Sequence, residues 1–515
     1  MQERYLPIGI QTFEEIRRLN AIYVDKTHLI YSLSQSGKYY FISRPRRFGK
    51  SLLISTLKSY FEGRKDLFEG LAIEALEKEW VQYPVLRFDL SRVRVNDESG
   101  IHVLLDSVLS QYEKIYAISP ADDYAVRLHN LIVAAKEQTK QNVVILIDEY
   151  DAPLLDTMVN KPVFEFVRKQ LRNFFSPLKE ADADLRFLFL TGISKFSQLS
   201  IFSELNNLTT ITMENAYASI CGFTKEEIVN QMAPEIKNLA EALGIKESTA
   251  LARLRSKYDG YHFSSKSPDI YNPLSLLKCF REKEFRNYWF ETGTPTHLTE
   301  MISKYSLRPE ELEGFVAGEM DFFVAFENAE TPIPMLYQSG YLTIKQFDGY
   351  DYILGFPNEE VRVSFIKGLA PYYTKKTATE NNSVIQRALR AIRNHDHDTA
   401  LSLLRSFYSS IPYNAEKQDE DHYKTIFYLI FTLATDYAVR TEQCSAAGRC
   451  DALIETEDTI YLFEFKLDGT AEEALKQIDD KGYAIQYEAG DKKVVKIGVN
   501  FDKEKRTIER WVVAK

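Results

Sequence analysis

The sequence RPRRFGKSLL, residues 44–53, follows the apolar run YYFIS and precedes a helical pattern. A strand, a loop containing Gly-Lys-Ser and a helix are the context in which backbone N–H groups and a helix N-terminus bind phosphates. Lys50 would reach the β and γ phosphates, and the Ser51 hydroxyl would bind Mg²⁺. The other predicted contacts of this loop and helix start are Arg46, Arg47, Phe48, Gly49 and Leu52. The stretch therefore predicts a nucleotide site on a strand–loop–helix unit.

The match of this loop to the standard pattern is incomplete. Arg44 stands where a first glycine is expected, so the loop retains only Gly49. The arginines of the loop add phosphate contacts in one interpretation and form salt bridges elsewhere in the other. Gly-Lys-Ser also occurs by chance, so a second motif must decide between a nucleotide site and a coincidence.

The second motif is NVVILIDEYDAP, residues 142–153, an apolar run that ends in Asp148 and Glu149. If the run is a parallel strand, both carboxylates lie at the sheet edge where ligands bind in such folds. Asp148 would hold Mg²⁺ through water, and Glu149 would polarise the attacking water. The alternative is that the two acids cap the next helix. Taken together, the two motifs favour a site for ATP and Mg²⁺.

A later apolar run, LRFLFLTGISKFS, ends in Thr191 and Ser194. These hydroxyls would stand where a γ-phosphate sensor is expected, and Lys195 could also face phosphate. The alternative is that they serve a turn or a helix cap. The sequence leaves both roles open.

The alternation of strand-like and helical patterns predicts the fold class. Residues 1–210 contain four β-rich runs separated by helices, which indicates a parallel sheet with helices on both faces. Residues 211–375 are mostly helical in pattern, and residues 376–515 combine a helical lead-in with a compact α/β pattern. We expect an α/β protein of three domains with these boundaries, because about 150 residues is usual for one domain.

Near the C-terminus, TIYLFEFKLDG (residues 459–469) places Glu464 and Lys466 on one face of a predicted strand. The preceding run GRCDALIET would form its hairpin partner and bring Asp451 within reach. Two carboxylates could hold Mg²⁺ or Mn²⁺, and the ammonium could orient or help deprotonate the attacking water. Glu442 could complete the metal shell. The pattern predicts a catalytic group of Asp451, Glu464 and Lys466 for phosphodiester cleavage.

Other residues have two interpretations each. Gln477 and Tyr483 lie on a helical stretch where they would flank the carboxylates or serve as ordinary surface and packing residues. NHDHD, residues 394–398, has the residue types of a metal site, but the interpretation as a helix cap is favoured. YDGYHF, residues 258–263, could contact nucleotide, but a packed turn is favoured.

Composition limits the class of protein. The chain has 515 residues, of which 45% are hydrophobic and 27% charged, and no apolar run is long enough to span a bilayer. The charged N-terminus lacks the apolar core of a secretion signal. The four cysteines match neither a disulfide framework nor a zinc pattern, so we expect reduced thiols: Cys221, Cys279, Cys444 and Cys450. A cytoplasmic protein with no membrane partner is predicted.

Charge is distributed unevenly along the chain. The net charge is -10, yet residues 1–60 carry ten Lys or Arg against four Asp or Glu. Residues 441–515 carry 12 Lys or Arg against 16 Asp or Glu. Because affinity for nucleic acid relies on neutralising phosphates, the basic N-terminal segment is the more favourable surface for it.

Further motifs follow in a fixed order: YVDKT (23–27), YDGYHF (258–263), YNPLSLL (271–277), ALKQI (474–478) and GYA (482–484). Together with the motifs above, they resemble bacterial proteins that join an AAA-ATPase-like P-loop domain to a C-terminal PD-(D/E)XK nuclease-like domain. The resemblance covers nearly the whole chain. The arginine-rich loop belongs to that family's pattern, so Arg44 does not count against nucleotide binding.

The resemblance implies a P-loop NTPase domain, a helical middle region and a restriction-endonuclease-like α/β domain. It implies that Lys50 and Ser51 bind ATP, with Asp148 and Glu149 as the acidic motif. It also implies a nuclease core at the three C-terminal residues named above. Related ATPases often take an arginine from a neighbouring subunit, so a homo-oligomer is a further expectation.

Two functions from different classes follow. The first is an ATP-dependent or ATP-regulated nuclease whose substrate is DNA or RNA, with DNA the favoured interpretation. The second is a nucleotide-switched binding or sensor protein whose nuclease-like domain binds nucleic acid or a partner without cutting; a plain ATPase with a degenerate C-terminal domain is a weaker third. The acidic balance of residues 441–515 motivates the second function.

Overall fold

The computed structural model describes most of the 515 residues. The described residues are 4–194, 208–289, 305, 308–322, 324, 329–374, 384, 387–388, 390–392, 394–410, 425–426, 428–429, 438–445, 448–456, 458–467, 469–488, 490–502, 504–505 and 507–514. Lys195 lies outside them, so its predicted role stays a prediction.

The chain forms two compact units. The first comprises residues 1–291 and 314–360, and the second comprises residues 292–313 and 361–515. The predicted three-domain boundaries at 210 and 375 stay a prediction.

A five-stranded parallel sheet organises the first unit. Its strands are β1 (Tyr39–Ser43), β2 (Val85–Asp89), β3 (Val143–Asp148), β4 (Leu185–Gly192) and β5 (Thr209–Thr210). Their order is β2-β3-β4-β1-β5, and each neighbouring pair is parallel. The four predicted strands are confirmed, whereas the two-residue β5 carried no recognisable pattern. Because β1 and β3 both run parallel to β4, which lies between them, the C-terminal ends of β1 and β3 lie at the same edge of the sheet. The phosphate loop and the acidic motif are therefore at that edge.

Helices connect these strands. They are α1 (Phe13–Arg18), α2 (Thr27–Ser36), α3 (Lys50–Phe61), α4 (Ala72–Leu76), α5 (Glu98–Ile115), α6 (Tyr124–Thr139), α7 (Ala152–Thr157), α8 (Lys161–Phe175) and α9 (Pro177–Glu180). The long helices have side-chain caps: Asp97 accepts from Gly100 N at the start of α5, and Asp123 accepts from Ala125 N at the start of α6. Each cap satisfies a helix N–H group that would otherwise lack a partner.

A helical group follows the sheet in the first unit. It consists of α10 (Lys225–Gln231), α11 (Ala233–Leu243), α12 (Glu247–Tyr258) and α13 (Pro273–Glu282), with a small antiparallel pair of β6 (Phe223–Thr224) and β7 (Ile270–Tyr271). Its apolar core includes Ile22 and Val24 of the N-terminal segment. The start of the chain is therefore packed against helices that lie far from it in sequence.

A three-stranded antiparallel sheet completes the first unit. Its strands are β8 (Phe315–Ala317), β9 (Thr343–Phe347) and β10 (Tyr352–Gly355), with β10 in the middle. The helix α14 (Ile333–Gln338) precedes β9, and α15 (Glu359–Thr374) follows β10; from residue 361 onward α15 belongs to the second unit. This sheet was not foreseen in a region whose pattern was mostly helical, because its strands are short.

The second unit is built on a mixed five-stranded sheet. Its strands are β11 (Ala438–Ser445), β12 (Gly448–Glu455), β13 (Thr459–Lys466), β14 (Lys493–Asp502) and β15 (Thr507–Ala514), in sequence order across the sheet. Only the β13–β14 pair is parallel. The helices are α16 (His397–Ser409), α17 (Ala471–Asp480) and α18 (Ile485–Glu488). The β12–β13 hairpin confirms the predicted pairing of GRCDALIET with TIYLFEFK.

Two motifs with alternative interpretations have structural roles. Asp396 caps α16 by accepting from Thr399 N, which confirms the cap interpretation of NHDHD. In YDGYHF, the rings of Tyr261 and Phe263 are buried, and Gly260 has φ +90°, which confirms a packed turn.

Membrane and cysteine features are as follows. No helix in the described ranges is long and apolar enough to cross a membrane. Cys221, Cys279 and Cys450 are buried free thiols, as expected. The Cys444 side chain lies outside the described part of the chain.

The helix α17 lies close against β13 and β14. Gly498, which pairs with Glu464 in the sheet, permits this approach. A Cβ atom at this position would lie 2.1 Å from the Ala471 carbonyl oxygen and 2.6 Å from Leu475 N. Since both atoms belong to the helix backbone, a side chain at 498 would push α17 away from the sheet.

Replacing Gly498 by alanine should therefore loosen α17 and destabilise the second unit by about 1–3 kcal/mol, the usual range for overpacking. Hydrogen exchange of the full chain, read on peptides covering residues 471–480, should become faster. Gly490→Ala is the matched control, because the nearest atom to its added Cβ is 3.4 Å away. Equal protection of α17 in both variants would contradict the close-approach argument.

Candidate functional site

The phosphate loop joins the buried end of β1 to the first turn of α3. Gly49 has φ +91° immediately before the helix, a left-handed conformation that glycine adopts without steric cost. The added Cβ at this position would meet nothing within 4 Å, so the requirement is for the backbone angle and not for space. The N–H groups of the first turn of α3 have no partner within the helix and form a favourable anion site.

Arg44 has a structural role in this loop. Its side chain is 1% exposed, and Nη1 donates to the carbonyls of Ser43 (2.9 Å) and Thr212 (2.8 Å). The guanidinium lies 4.2 Å from the ring centre of Phe263. Burial lowers the pKa of Arg44 to about 10, so the group remains charged at neutral pH. Neither the phosphate contact nor the salt bridge considered for Arg44 is what the structure shows.

Phe48 anchors the loop through its ring. The ring is buried against Tyr261, at 4.7 Å between centroids, and Phe263, at 5.3 Å. Its carbonyl accepts a hydrogen bond from Gly222 N. The predicted contact of Phe48 with a nucleotide can therefore come only from its backbone. Arg46, Arg47 and Gly49 are exposed, whereas Ser51 and Leu52 are half-buried.

Lys50 is buried at the start of α3. Its Nζ donates to the carbonyls of Arg44 (2.9 Å) and Pro45 (3.1 Å). Burial lowers the pKa of Lys50, and the carboxylates of Glu149, Asp151 and Asp148 oppose that shift. The lysine thus lies in the field of the acidic motif, as a phosphate-binding lysine beside a magnesium site would.

The acidic motif ends β3 at Asp148. The Thr191 hydroxyl donates to Asp148 Oδ1 at 2.7 Å, and Arg87 Nη2 lies 3.6 Å from Oδ2. Glu149 follows with φ +48°, a strained conformation for glutamate, and burial raises the pKa of its carboxyl group. The parallel pairing of β2 with β3 also brings Asp89 beside Asp148. Donors from β2 and β4 therefore hold the carboxylate that the sequence assigned to Mg²⁺.

Asp151 is a residue to which the sequence analysis gave no role. Its Oδ2 accepts from Ile193 N (2.9 Å), Ser194 N (2.7 Å) and the Ser194 hydroxyl (2.6 Å). Burial raises the pKa of its carboxyl group, and the hydrogen bonds from Ser194 oppose this. Thr191 and Ser194 thus both serve the acidic motif through their hydroxyls. Their assignment as γ-phosphate sensors stays a prediction.

A cavity of about 470 Å³ opens beside the phosphate loop. It is lined by the loop, Ser51 and Glu149, and also by mainly apolar residues of three separate segments. These segments are residues 7–24, 220–223 and 273–277. This apolar wall could not be recognised in the sequence, because its residues are distant along the chain and form no motif of polar residues.

The second unit carries the other predicted group. Phe465 N donates to Asp451 Oδ2 at 2.8 Å, and Asp451 N lies 3.4 Å from Glu464 Oε2. Glu464 is 2% exposed, so the face of β13 that carries it is covered. The hairpin thus places the two carboxylates side by side.

Gln477 on α17 joins Glu464 to Lys466. Its Oε1 accepts from Lys466 Nζ at 2.6 Å, and its Nε2 donates to Glu464 Oε1. This amide orientation is the consistent one, because an ammonium can only donate and a carboxylate can only accept. Tyr483 also hydrogen-bonds Gln477, and burial raises the pKa of the tyrosine. The structure thus brings Gln477 of α17 to the Glu464 carboxylate and Tyr483, in the turn after α17, to Gln477, so neither is an ordinary surface residue.

The metal ligands are less fully defined. The backbone of Glu442 lies in β11 between Thr441, which pairs with Ala452, and Gln443, which pairs with Cys450. Its side chain lies outside the described residues. Within the described residues, no three His, Cys, Asp or Glu side chains are arranged as a metal cage. The carboxylate oxygens of Asp451 and Glu464 have the chemistry that Mg²⁺ prefers, and their assignment as ligands stays a prediction.

These arrangements define a class: a nucleotide-binding, AAA-ATPase-like fold joined to a nuclease-like fold. The chain matches the family described as "Predicted AAA-ATPase" over residues 7–202 and the PD-(D/E)XK nuclease superfamily over residues 418–511. It is 34% identical over 527 aligned residues to a protein of Azotobacter chroococcum mcd 1 described as "Uncharacterized protein in vnfD 5′region". The alignment covers 100% of this chain and 99% of that relative. The chain belongs to this family of two-part proteins, and the resemblance inferred from its motifs is confirmed.

Glu149 should reduce the stability of the first unit at neutral pH. Burial raises the pKa of the Glu149 carboxyl group above its usual value of 4.5, so the folded state binds the proton more tightly than the unfolded state does. The stability of the first unit therefore falls as the pH rises from 4.5 through the raised pKa. Glu149→Gln should therefore raise the melting temperature at pH 8, by an amount equivalent to about 0.5–2 kcal/mol. The gain should shrink as the pH falls toward 4.5.

Calorimetry of the full chain at several pH values would measure this difference. Glu137→Gln is the matched control, since Glu137 is exposed on α6. A Glu149→Gln variant that melts below the wild type at pH 8 would show that the carboxylate stabilises the fold.

Proposed function

We propose that this protein is an ATP-dependent or ATP-regulated, metal-dependent nuclease that hydrolyses phosphodiester bonds of DNA or RNA. The observation that carries the proposal is the network in which the half-buried Gln477 joins the buried Glu464 carboxylate to the half-buried Lys466 ammonium, beside Asp451. Burying a carboxylate such as that of Glu464 costs several kcal/mol. A network of this composition on a covered strand face is explained most directly by chemistry that needs it.

In the first unit, the proposal gives each residue a defined task. Lys50 neutralises phosphate charge, and the first-turn N–H groups of α3 bind phosphate oxygens. Ser51 and Asp148 are the groups that would hold Mg²⁺, and the ion would supply positive charge that offsets the negative charge of the phosphates. Glu149 accepts a hydrogen bond from the attacking water, and its raised pKa brings the carboxylate closer to the basicity that a general base needs.

In the second unit, Asp451 and Glu464 would hold Mg²⁺ or Mn²⁺. A divalent ion there would act as a Lewis acid that stabilises the negative charge developing on the scissile phosphate. Lys466 orients the attacking water and polarises it, which helps its deprotonation. Gln477 holds both the ammonium and the Glu464 carboxylate by hydrogen bonds. Tyr483 restrains Gln477 from the other side. The chain's own residues thus set the geometry of attack.

An alternative is a nucleotide-switched protein whose nuclease-like unit binds nucleic acid or a partner without cutting. It is favoured by the acidic balance of residues 441–515, because tight binding to a phosphate backbone normally requires a basic surface. The proposal places either protein in the cytoplasm, where thiols such as Cys221 and Cys450 stay reduced. A homo-oligomer would suit an ATPase that borrows an arginine from a neighbour.

The proposal predicts metal-dependent cleavage by the purified full chain. Single- and double-stranded DNA and RNA would be incubated with Mg²⁺ or Mn²⁺, with and without ATP. Glu464→Ala should reduce cleavage by at least about 100-fold, because a metal ligand supplies several kcal/mol of transition-state stabilisation. ATP hydrolysis should be unchanged in this variant.

Lys50→Ala is the reciprocal variant. It should abolish ATP hydrolysis and remove the effect of ATP on cleavage while leaving the metal-dependent site intact. If no substrate is cut under any condition and DNA is still retained in a binding assay, the alternative function is correct and the nuclease proposal fails.

A further inference from the structure

The motif YVDKT, residues 23–27, has no role in the functions proposed above. Asp25 fixes its shape: Oδ1 accepts from Thr27 N (2.8 Å) and from the Thr27 hydroxyl (2.6 Å), and Oδ2 accepts from Ala72 N (2.7 Å). The motif therefore connects the start of α2 to the start of α4. Its position is defined by three hydrogen bonds on one carboxylate.

Tyr23, Val24 and Lys26 of this motif line the cavity beside the phosphate loop. Val24 also belongs to the apolar core that contains α10–α13. A triphosphate chain would use Lys50, Ser51 and the loop, so the rest of the nucleotide would lie against the apolar wall. A flat purine ring is the chemical group that fits such a wall, with polar contacts only at its edge.

Lys26 is distinctive in that wall. Among the described residues that line the cavity, every other charged side chain belongs to the phosphate loop, to Lys50 or to the acidic motif, and Lys26 lies outside these groups. Its side chain is only 7% exposed and forms an ion pair with Glu227 of α10. The other Glu227 oxygen accepts from Thr224 N at 2.8 Å in a capping box, so the carboxylate cannot turn away freely.

We propose that Lys26 reads the base: its ammonium donates a hydrogen bond to a ring nitrogen of the purine in the bound nucleoside triphosphate. This inference rests on the proposed nucleotide binding and adds a specificity-determining residue to it. The ammonium has three N–H donors, and Glu227 Oε1 accepts from one of them. A ring nitrogen supplies an acceptor for another, whereas a C–H group in its place leaves a buried donor unsatisfied.

The ion pair with Glu227 also has a purely structural interpretation, in which it joins the N-terminal segment to α10. The two roles predict different results. A structural residue, when removed, weakens the binding of every nucleotide by the same factor. A base-reading residue, when removed, abolishes the difference between nucleotides that have and lack the ring nitrogen.

The test is calorimetric titration of the full chain with Mg²⁺ and ATP, 1-deaza-ATP, 3-deaza-ATP or 7-deaza-ATP. In the wild type, one of the three analogues should bind about tenfold or more weakly than ATP, since a hydrogen bond to a charged group is worth that much. Lys26→Met should bind ATP and that analogue equally. Lys26→Arg, which keeps a cationic donor, should retain a preference for ATP.

Glu227→Gln is the matched control, because it removes the charge of the ion pair while Lys26 keeps its donors. It should preserve the preference of the wild type for ATP over the deaza analogue. Equal binding of ATP and all three analogues by the wild type would overturn the inference, whether or not Lys26→Met folds. So would an unchanged preference in a folded Lys26→Met variant.

The failure of the inference is distinguishable from the failure of the proposed function. If the wild type binds ATP with no dependence on Lys26, base reading fails and nucleotide binding stands. If the wild type binds no nucleotide at all, both fail together.

Discussion

The buried Glu464 carboxylate is joined through Gln477 to Lys466, and this hydrogen-bonded chain determines the local architecture of the second unit. A carboxylate that is 2% exposed needs donors close at hand, because leaving it unpaired costs several kcal/mol. The donor comes from α17, so the helix must approach the sheet closely. Gly498, opposite Glu464 on β14, makes that approach possible. The hydrogen bonds of Glu464 therefore require α17 to lie close to the sheet, and this close approach requires glycine at position 498.

The first unit solves the same electrostatic problem with different groups. Asp148 is buried at the end of β3, where Thr191 of β4 and Arg87 of β2 hold its two oxygens. Asp151 is held by backbone and side-chain donors after β4. Because the supporting groups come from neighbouring strands, the carboxylates are oriented before any ligand binds. Such preorganisation is what electrostatic catalysis requires.

Much of this could be predicted from sequence. The four long strands of the first sheet are apolar runs with recognisable ends, the β12–β13 hairpin consists of two apolar runs interrupted by charges, and the carboxylates Asp148 and Asp451 mark the predicted sites. Gln477 was a candidate because it lies on a helical pattern just after the hairpin. These features depend on local periodicity, which a sequence displays directly.

Other features could not be predicted, because they depend on tertiary contacts. The carbonyls that Arg44 binds belong to residues such as Thr212, far along the chain, so its charge suggested phosphate contact or a salt bridge. The role of Asp151 depends on the segment after β4, and the apolar cavity wall combines three distant segments. The strands β8–β10 are too short for a period to emerge from the surrounding helical pattern.

The central claim is that the neighbouring carboxylates of Asp451 and Glu464 form a divalent metal site. Electron paramagnetic resonance of free Mn²⁺, titrated into the full chain without nucleotide, measures this directly. Wild type and an Asp148→Asn control should bind Mn²⁺ alike, and Glu464→Gln should weaken binding at least tenfold, because a neutral amide is a poorer ligand for a hard cation. Mn²⁺ binding that is the same in wild type and in Glu464→Gln would contradict the claim.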